Sequence, residues 1–289
     1  MNQRIKPLVE INISTLLIST AAVIAKLSDL PAPILILFRC LIAALFLLLI
    51  KRLIKSTYKI DFHKHGKLMV LSGVLLAAHW ITYFFSIQIS SIAIAVITLF
   101  TFPAVTALLE PLFFGSSLKK RTVLFSLLIL LGIIILVPVY DFGDHMTQGL
   151  MLGLISSVLY AIRNLLSKKF IAIYSGYSIM FHQLVIAAAA SIPVAFFYIQ
   201  PIPSGEIIYL LFLGVVTTAV GHVLFVKSLQ YFEAAAASVI AGLQPVLAIF
   251  WAFLIVGEAI NARILLGGFI ILTVVTLENL IDYRYSKKS

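Results

Sequence analysis

Apolar runs of about twenty residues, repeated along the whole chain and parted by short polar breaks, constrain this sequence more than any other feature. A bilayer core about 30 Å thick is crossed by about 20 apolar residues in helical form. Such runs lie at roughly 8–28, 32–50, 67–89, 91–113, 122–139, 147–167, 177–198, 206–229, 234–256 and 264–282. Pro31-Ala32-Pro33 and Pro201-Ile202-Pro203 are firm breaks, and Ser90-Ser91 divides a stretch too long for one crossing. Barrel strands alternate apolar and polar residues over about 10 positions. These runs are apolar all round and therefore read as helices. Composition points the same way: 62% of the 289 residues are hydrophobic and 11% charged, against about 45–50% and about 25% in an average soluble domain. A soluble enzyme and a disordered tail are excluded, and a single cysteine, Cys40, excludes a disulfide scaffold. The expected fold is an all-α membrane protein with ten transmembrane helices.

Net charge is +10, a value that suits nucleic-acid binding until the charges are placed. With the N-terminus inside, one side collects Arg4 and Lys6, then Lys51, Arg52, Lys55, Lys59, Lys64 and Lys67. It also collects Lys119, Lys120 and Arg121, then Lys168, Lys169, Lys227, Arg284, Lys287 and Lys288. The other side has Arg263 with Asp29, Asp141, Asp144, Glu206 and Glu258. This is the bias that orients inner-membrane proteins, so both termini are expected in the cytoplasm and no nucleic acid is expected as partner. The basic stretch 51–67 reads as an orientation signal in contact with anionic lipid. Glu10 and Asn12 interrupt the first run, which reads as a first helix rather than a cleaved leader.

Sliding the chain by 142 residues against itself brings the spans into register. Lys26 meets Lys168, Ser86 meets Ser228, Ala93 and Ala95 meet Ala235 and Ala237, and Pro103 meets Pro245. Gly115 meets Gly257, Arg121 meets Arg263, and Leu124 meets Leu266. Five helices per unit is an odd number, so the second unit, 142–289, enters the membrane from the side opposite to the first, 1–141. Two inverted repeats are the architecture of carriers that alternate access around a midplane site.

Several of these features together resemble the EamA type of the drug/metabolite transporter superfamily. They are Ala93–Phe102 before Pro103, Ala234–Gln244 before Pro245, Val256-Gly257-Glu258, Lys26 closing the first helix, Phe38-Arg39 in the second and Leu266-Gly267-Gly268 in the tenth. The resemblance implies a ten-helix basket in which helices 1, 3, 4, 6, 8 and 9 surround a substrate cavity, in a family of exporters of amino acids, other metabolites or drugs. One departure is Gly115-Ser116, where the family often has Gly-Glu.

Ionisable groups in a span cost about 2.5–3.5 kcal/mol or more and are functional candidates by default. Arg39, about 12 Å into helix 2 by the helical rise, reads either as a structural pair or as a substrate contact. Lys26 and Lys168 read as snorkelling or as gates at the two mouths. Arg163-Asn164 in helix 6 adds positive charge, which suits a carboxylate or phosphate held bidentately. Its rival reading is an ion pair with Glu110 or Glu278. His79 and His222 sit mid-span and are coupling candidates along with Glu110. Trp80 matches His222 under the shift, so the two should face each other, with Tyr83 and Tyr160 on cavity helices. Pro103 and Pro245, expected mid-helix, read as hinges or passive kinks, with Thr98, Thr101 and Gln244 beside them. Small residues at 93, 95, 234–238, 241 and 242 read as helix-packing positions. The scattered histidines lack ligand spacing, so no metal and no cofactor is expected.

The resulting expectation is not an enzyme but a secondary transporter of the inner membrane, a monomer or weak homodimer. It would move a small polar metabolite, an amino acid or related carboxylate, with export favoured. The chain has no Walker-type loop, so the driving force is a gradient or exchange. The alternatives are an exporter of organic cations or drugs, which wants an acid such as Glu110 in the cavity, and, remotely, a lipid-modifying enzyme built on Asp61, His63 and His65.

Overall fold

The computed structural model describes residues 5–50, 53, 59–115, 120–136, 141–228 and 241–286. The small-residue stretch 234–238, most of the basic stretch 51–58 and the side chains of Arg121 and Glu278 lie outside the described residues. Every described element is helical: α1 (Ile5–Ser19), α2 (Ala21–Leu27), α3 (Ala32–Ile50), α4 (Phe62–Ile89), α5 (Ile92–Leu99), α6 (Phe102–Phe114), α7 (Lys120–Leu136), α8 (His145–Ile171), α9 (Gly176–Phe196) and α10 (Glu206–Leu211). A π-helical segment, π1 (Phe212–His222), leads into α11 (Val223–Ser228), and α12 (Leu243–Trp251) runs on through π2 (Ala252–Val256) before α13 (Ala262–Ser286).

Seven spans among the described residues are long and apolar enough to cross a membrane: Val9–Leu27, Ala32–Ile50, Phe62–Ile89, Ile92–Phe114, His145–Ile171, Gly176–Phe196 and Glu206–Lys227. Within the expected runs at 234–256 and 264–282 the described residues give the apolar stretches Leu243–Val256 and Ala262–Val274, and α7 covers 122–136 of the run at 122–139.

Short polar side chains set the helix starts. Asp61 accepts from Lys64 N–H at 3.1 Å, Ser91 from Ile94 N–H at 3.2 Å and Ser175 from Ser178 N–H at 3.2 Å. Asp144 accepts from both Met146 and Thr147 N–H. Each oxygen satisfies a donor that the first helical turn leaves free. Asp144, one of the acids that the charge pattern collects on one side, thus has local work, since helix N-termini favour negative charge. Glu258 accepts from Ile92 N–H with both oxygens, at 3.0 and 3.1 Å, and so caps α5 from the other half of the chain. Gly115 and Gly257, matched by the 142-residue shift, end α6 and π2 at φ +69° and +74°. A side chain is strained in that left-handed conformation, which explains a glycine at both places.

The halves meet most closely where α4 packs on α8. A Cβ at Gly153 would overlap Thr98 Oγ1, and one at Gly149 would overlap Ser90. α8 therefore touches the α4–α5 corner through bare backbone, and Ser86 Oγ donates to Gly149 O at 2.6 Å. The counterpart under the shift, α1 against π1 and α11, is also packed, with Ser14 Oγ donating to Gly221 O at 2.7 Å.

Candidate functional site

Irregular backbone gathers at the centre of the molecule. The first span breaks at Thr20, where Ser19 and Thr20 hydroxyls donate back to Leu16 O and Leu17 O, each at 2.7 Å, in place of a regular turn. The fourth span breaks between Leu99 and Phe102. In π1, Thr217 and Thr218 hydroxyls both donate to Leu213 O, at 2.8 and 2.7 Å. Non-helical backbone at membrane depth is tolerated where it lines a cavity instead of lipid, and these breaks border one.

That cavity measures about 40 Å³, space for a few waters. Of the residues singled out from the sequence, Arg39, His79, Trp80, Tyr83, Tyr160, His222 and Gln244 line it. No acidic side chain is among its described lining residues. Arg39 is 1% exposed. Its Nε donates to Thr218 Oγ1, and its Cζ lies 4.1 Å from the centre of the Trp80 ring and 5.5 Å from that of Phe84. One donor is thus tied down while the charge rests on ring faces. Trp80 and His222 are in contact, at 5.2 Å between ring centres and 64° between planes. His79 stacks on Tyr160 at 4.4 Å and lies 6.2 Å from Tyr83.

The other candidates lie elsewhere. Arg163 is 1% exposed but does not border the cavity. It donates to Asn164 Oδ1 at 3.1 Å, Met180 Sδ at 3.1 Å and Gln183 Oε1, and its Nε has no partner among the described residues. Gln183 carries the network on to Ser72 Oγ at 2.6 Å and Ser167 Oγ at 3.1 Å. Thr98 Oγ1 donates to Ile94 O at 2.7 Å, and Thr101 Oγ1 meets Ser157 Oγ at 2.8 Å, which joins the fourth span to α8. Lys26 Nζ donates to Ile87 O at 3.0 Å and Ser90 O at 2.8 Å and so caps the end of α4.

Three expectations are corrected. The pairing of Arg163 with Glu110 does not form: Glu110 is bound to Lys168 at 2.7 Å, with the two side chains 39% and 46% exposed. Glu110 is therefore not an acid inside the cavity, because α8 presents Lys168 to it at the surface. Pro103 and Pro245 do not interrupt a continuous helix. Pro103 is the second residue of α6 and Pro245 the third of α12, in the first turn, where an N–H has no intrahelical partner to lose. The break precedes each proline, and no carbonyl is freed by it.

Residues the sequence did not single out include Thr218, Ser156, Gln183 and the pair Glu10–Lys227, whose 3.1 Å bridge joins α1 to α11. Nothing in an apolar run marks one hydroxyl over another. The spacing of Thr217-Thr218 from Arg39 is not visible without the fold.

Comparison with known proteins agrees with this architecture. The EamA-like transporter family matches the chain twice, over residues 10–137 and 147–279. An uncharacterized transporter of Archaeoglobus fulgidus is 29% identical over 191 residues, covering 66% of this chain and 68% of its own. The pseudopaline exporter CntI of Pseudomonas aeruginosa is 25% identical over 246 residues, 84% of each chain. A solved crystal structure superposes with a TM-score of 0.70 at 15% identity, covering 97% of this chain and 98% of its own. With one family matched by each half, the chain belongs to the EamA-like transporter family and is a membrane transporter, not an enzyme.

Proposed function

We propose that the protein is a secondary transporter that exports a small polar metabolite bearing a carboxylate, an amino acid or a related acid, across the inner membrane by alternating access. Ten crossings in two inverted halves, 1–141 and 142–289, with both termini cytoplasmic, form the frame of this reading. The observation that carries it is Arg39: a buried guanidinium at the cavity wall with no carboxylate beside it among the described residues. An unpaired buried charge is costly, and an anionic ligand compensates it in the geometry guanidinium groups favour. The export direction takes its support from the Pseudomonas relative that is named an exporter. Transport of organic cations wants an acid in the cavity, and Glu110 is at the surface.

The test is uptake and efflux of radiolabelled amino acids, nucleosides and organic cations in proteoliposomes, with and without a pH gradient. Carboxylate-bearing substrates are expected to move and Arg39→Gln to stop them. Cation transport that survives Arg39→Gln overturns the reading. The frame is tested separately by labelling single cysteines placed at the two ends, which are expected on the same side of the membrane.

A further inference from the structure

The contacts around His79 favour one placement of its ring proton. Nδ1 lies 2.7 Å from Ser156 Oγ and 3.2 Å from Ser156 O. Ser156 Oγ in turn donates to His79 O at 2.9 Å. A hydroxyl has a single proton. Once that proton is committed to His79 O, the oxygen faces Nδ1 with a lone pair. The carbonyl beside it can only accept. The carbonyl calls for a donor at Nδ1, and that tautomer lets the hydroxyl keep its bond to His79 O. In a neutral imidazole the other nitrogen, Nε2, is then an acceptor. No described residue hydrogen-bonds Nε2, and His79 borders the cavity.

The cavity thus offers two opposite functions. Arg39 has only donors, with Nε held by Thr218. His79 has an acceptor, flanked by the ring of Tyr160 stacked on it at 4.4 Å and that of Tyr83 at 6.2 Å. A ligand that answers both carries a carboxylate and an ammonium on a short spacer and brings no net charge. We propose that His79 Nε2 receives the ammonium group of an α-amino acid whose carboxylate is held by Arg39, so that the cavity selects amino acids over simple carboxylates. Ser156 is then a positioning residue, its carbonyl acting through the ring proton of His79. This inference rests on the carboxylate reading of Arg39 given above.

The test titrates the purified full-length chain with glycine, acetate and methylamine and follows tryptophan emission. Trp80 lies against Arg39, and Trp251 donates to Ser19 Oγ at the cavity wall. Half-saturation by glycine is expected at a concentration at least about 10-fold below that of acetate, the scale of one added charge-assisted hydrogen bond. Methylamine should give no saturable response. His79→Phe should bring glycine to the acetate value and leave acetate unchanged. Ser156→Ala, which keeps the carbonyl that accepts from Nδ1, should leave the gap in place. Equal half-saturation for glycine and acetate in the unaltered chain overturns the proposal and needs no variant to be read. So does a loss in His79→Phe that weakens both probes alike, the mark of a structural role. Arg39→Gln separates the two claims: glycine binding that survives it overturns the carboxylate reading itself. Loss of both probes in Arg39→Gln, with glycine and acetate bound equally in the unaltered chain, overturns only the role of His79. No saturable response to either probe overturns both.

Discussion

Two arginines of equal burial should respond to the same substitution with opposite signs. Arg39 and Arg163 are each 1% exposed, and withdrawing a guanidinium from water costs several kcal/mol even after relaxation. For Arg39 the compensation among the described residues is one hydrogen bond to Thr218 and the faces of Trp80 and Phe84. A hydrogen bond to a charged group contributes about 1.5–3 kcal/mol and a desolvated cation–π contact about 2 kcal/mol. These terms come close to the desolvation cost without exceeding it clearly. Arg39→Met keeps most of the volume and removes the charge. Thr218 Oγ1 loses the donor it accepted from but still donates to Leu213 O, so its hydroxyl keeps a hydrogen bond. The empty protein should gain about 1–2 kcal/mol, toward the lower end of the range for buried ion pairs replaced by apolar groups. Arg163→Met strips the donor from Gln183 Oε1 and Asn164 Oδ1. Gln183 is fully buried, and its oxygen left alone costs about 1–3 kcal/mol, so this variant should lose stability. The single cysteine gives the assay: Cys40 is fully buried, and a thiol-reactive fluorogenic dye reports its exposure as the protein is heated. At about 2–4 °C per kcal/mol, the midpoint should rise by several degrees for Arg39→Met and fall for Arg163→Met. A fall for Arg39→Met as large as that for Arg163→Met would refute the claim that Arg39 is held for its ligand rather than for the fold.

Other substitutions should behave as follows. Thr218→Val removes the oxygen that accepts from Arg39 Nε and should lower the same midpoint by about 1–2 kcal/mol, with Thr218→Ser restoring it. Glu110→Gln breaks an exposed ion pair. It should shift the midpoint by less than about 1 kcal/mol, a difference that added salt erases, and leave glycine binding unchanged. Gly153→Ala drives a Cβ onto Thr98 and should cost about 1–3 kcal/mol by overpacking, seen as a lower midpoint with the transported substrate unaltered.

Run length and the 142-residue offset made the helical class and the doubled family match legible, because a crossing needs a fixed length whatever its sequence. The offset also pairs Trp80 with His222, whose rings touch, and Gly115 with Gly257, which share one backbone conformation. What stayed illegible was direction around each helix axis. In a soluble protein, water marks the outer face with polar residues. Here lipid and protein interior are both apolar, so the sequence of α8 does not say that Tyr160 borders the cavity while Arg163 turns toward Gln183. Glu110 misled for the same reason: its place near the end of a span leaves open whether it looks inward or out. The prolines misled differently. Their spacing from the span ends is right, but a helix that stops at Leu99 and restarts at Phe102 turns a mid-span proline into a first-turn one.

The two halves repeat in sequence, yet their backbones are unequal, and the inequality has a direction. The breaks of the fourth and ninth spans correspond: Thr101 precedes α6, and Gly242, one residue short of its match, precedes α12. The first span is broken at Thr20 while its counterpart α8 runs unbroken through the matching position. The eighth span is π-helical from Phe212 to His222 while its counterpart α4 is continuous. So the contact of α4 with α8 joins two regular helices through bare glycine backbone, and its mirror joins a broken helix to a π-helical one. Local opening follows the weaker backbone bonds, and wide or interrupted turns mark places of functional movement. Rocking of the halves should therefore pivot on α4 and α8 and yield at α1, α2 and π1. Hydrogen–deuterium exchange of the protein in lipid nanodiscs should show amides of 14–25 and 212–226 exchanging ahead of those of 69–87 and 149–167. Equal protection on both sides, or faster exchange in α4 and α8, would place the pivot elsewhere and deny the π-helical segment any part in it.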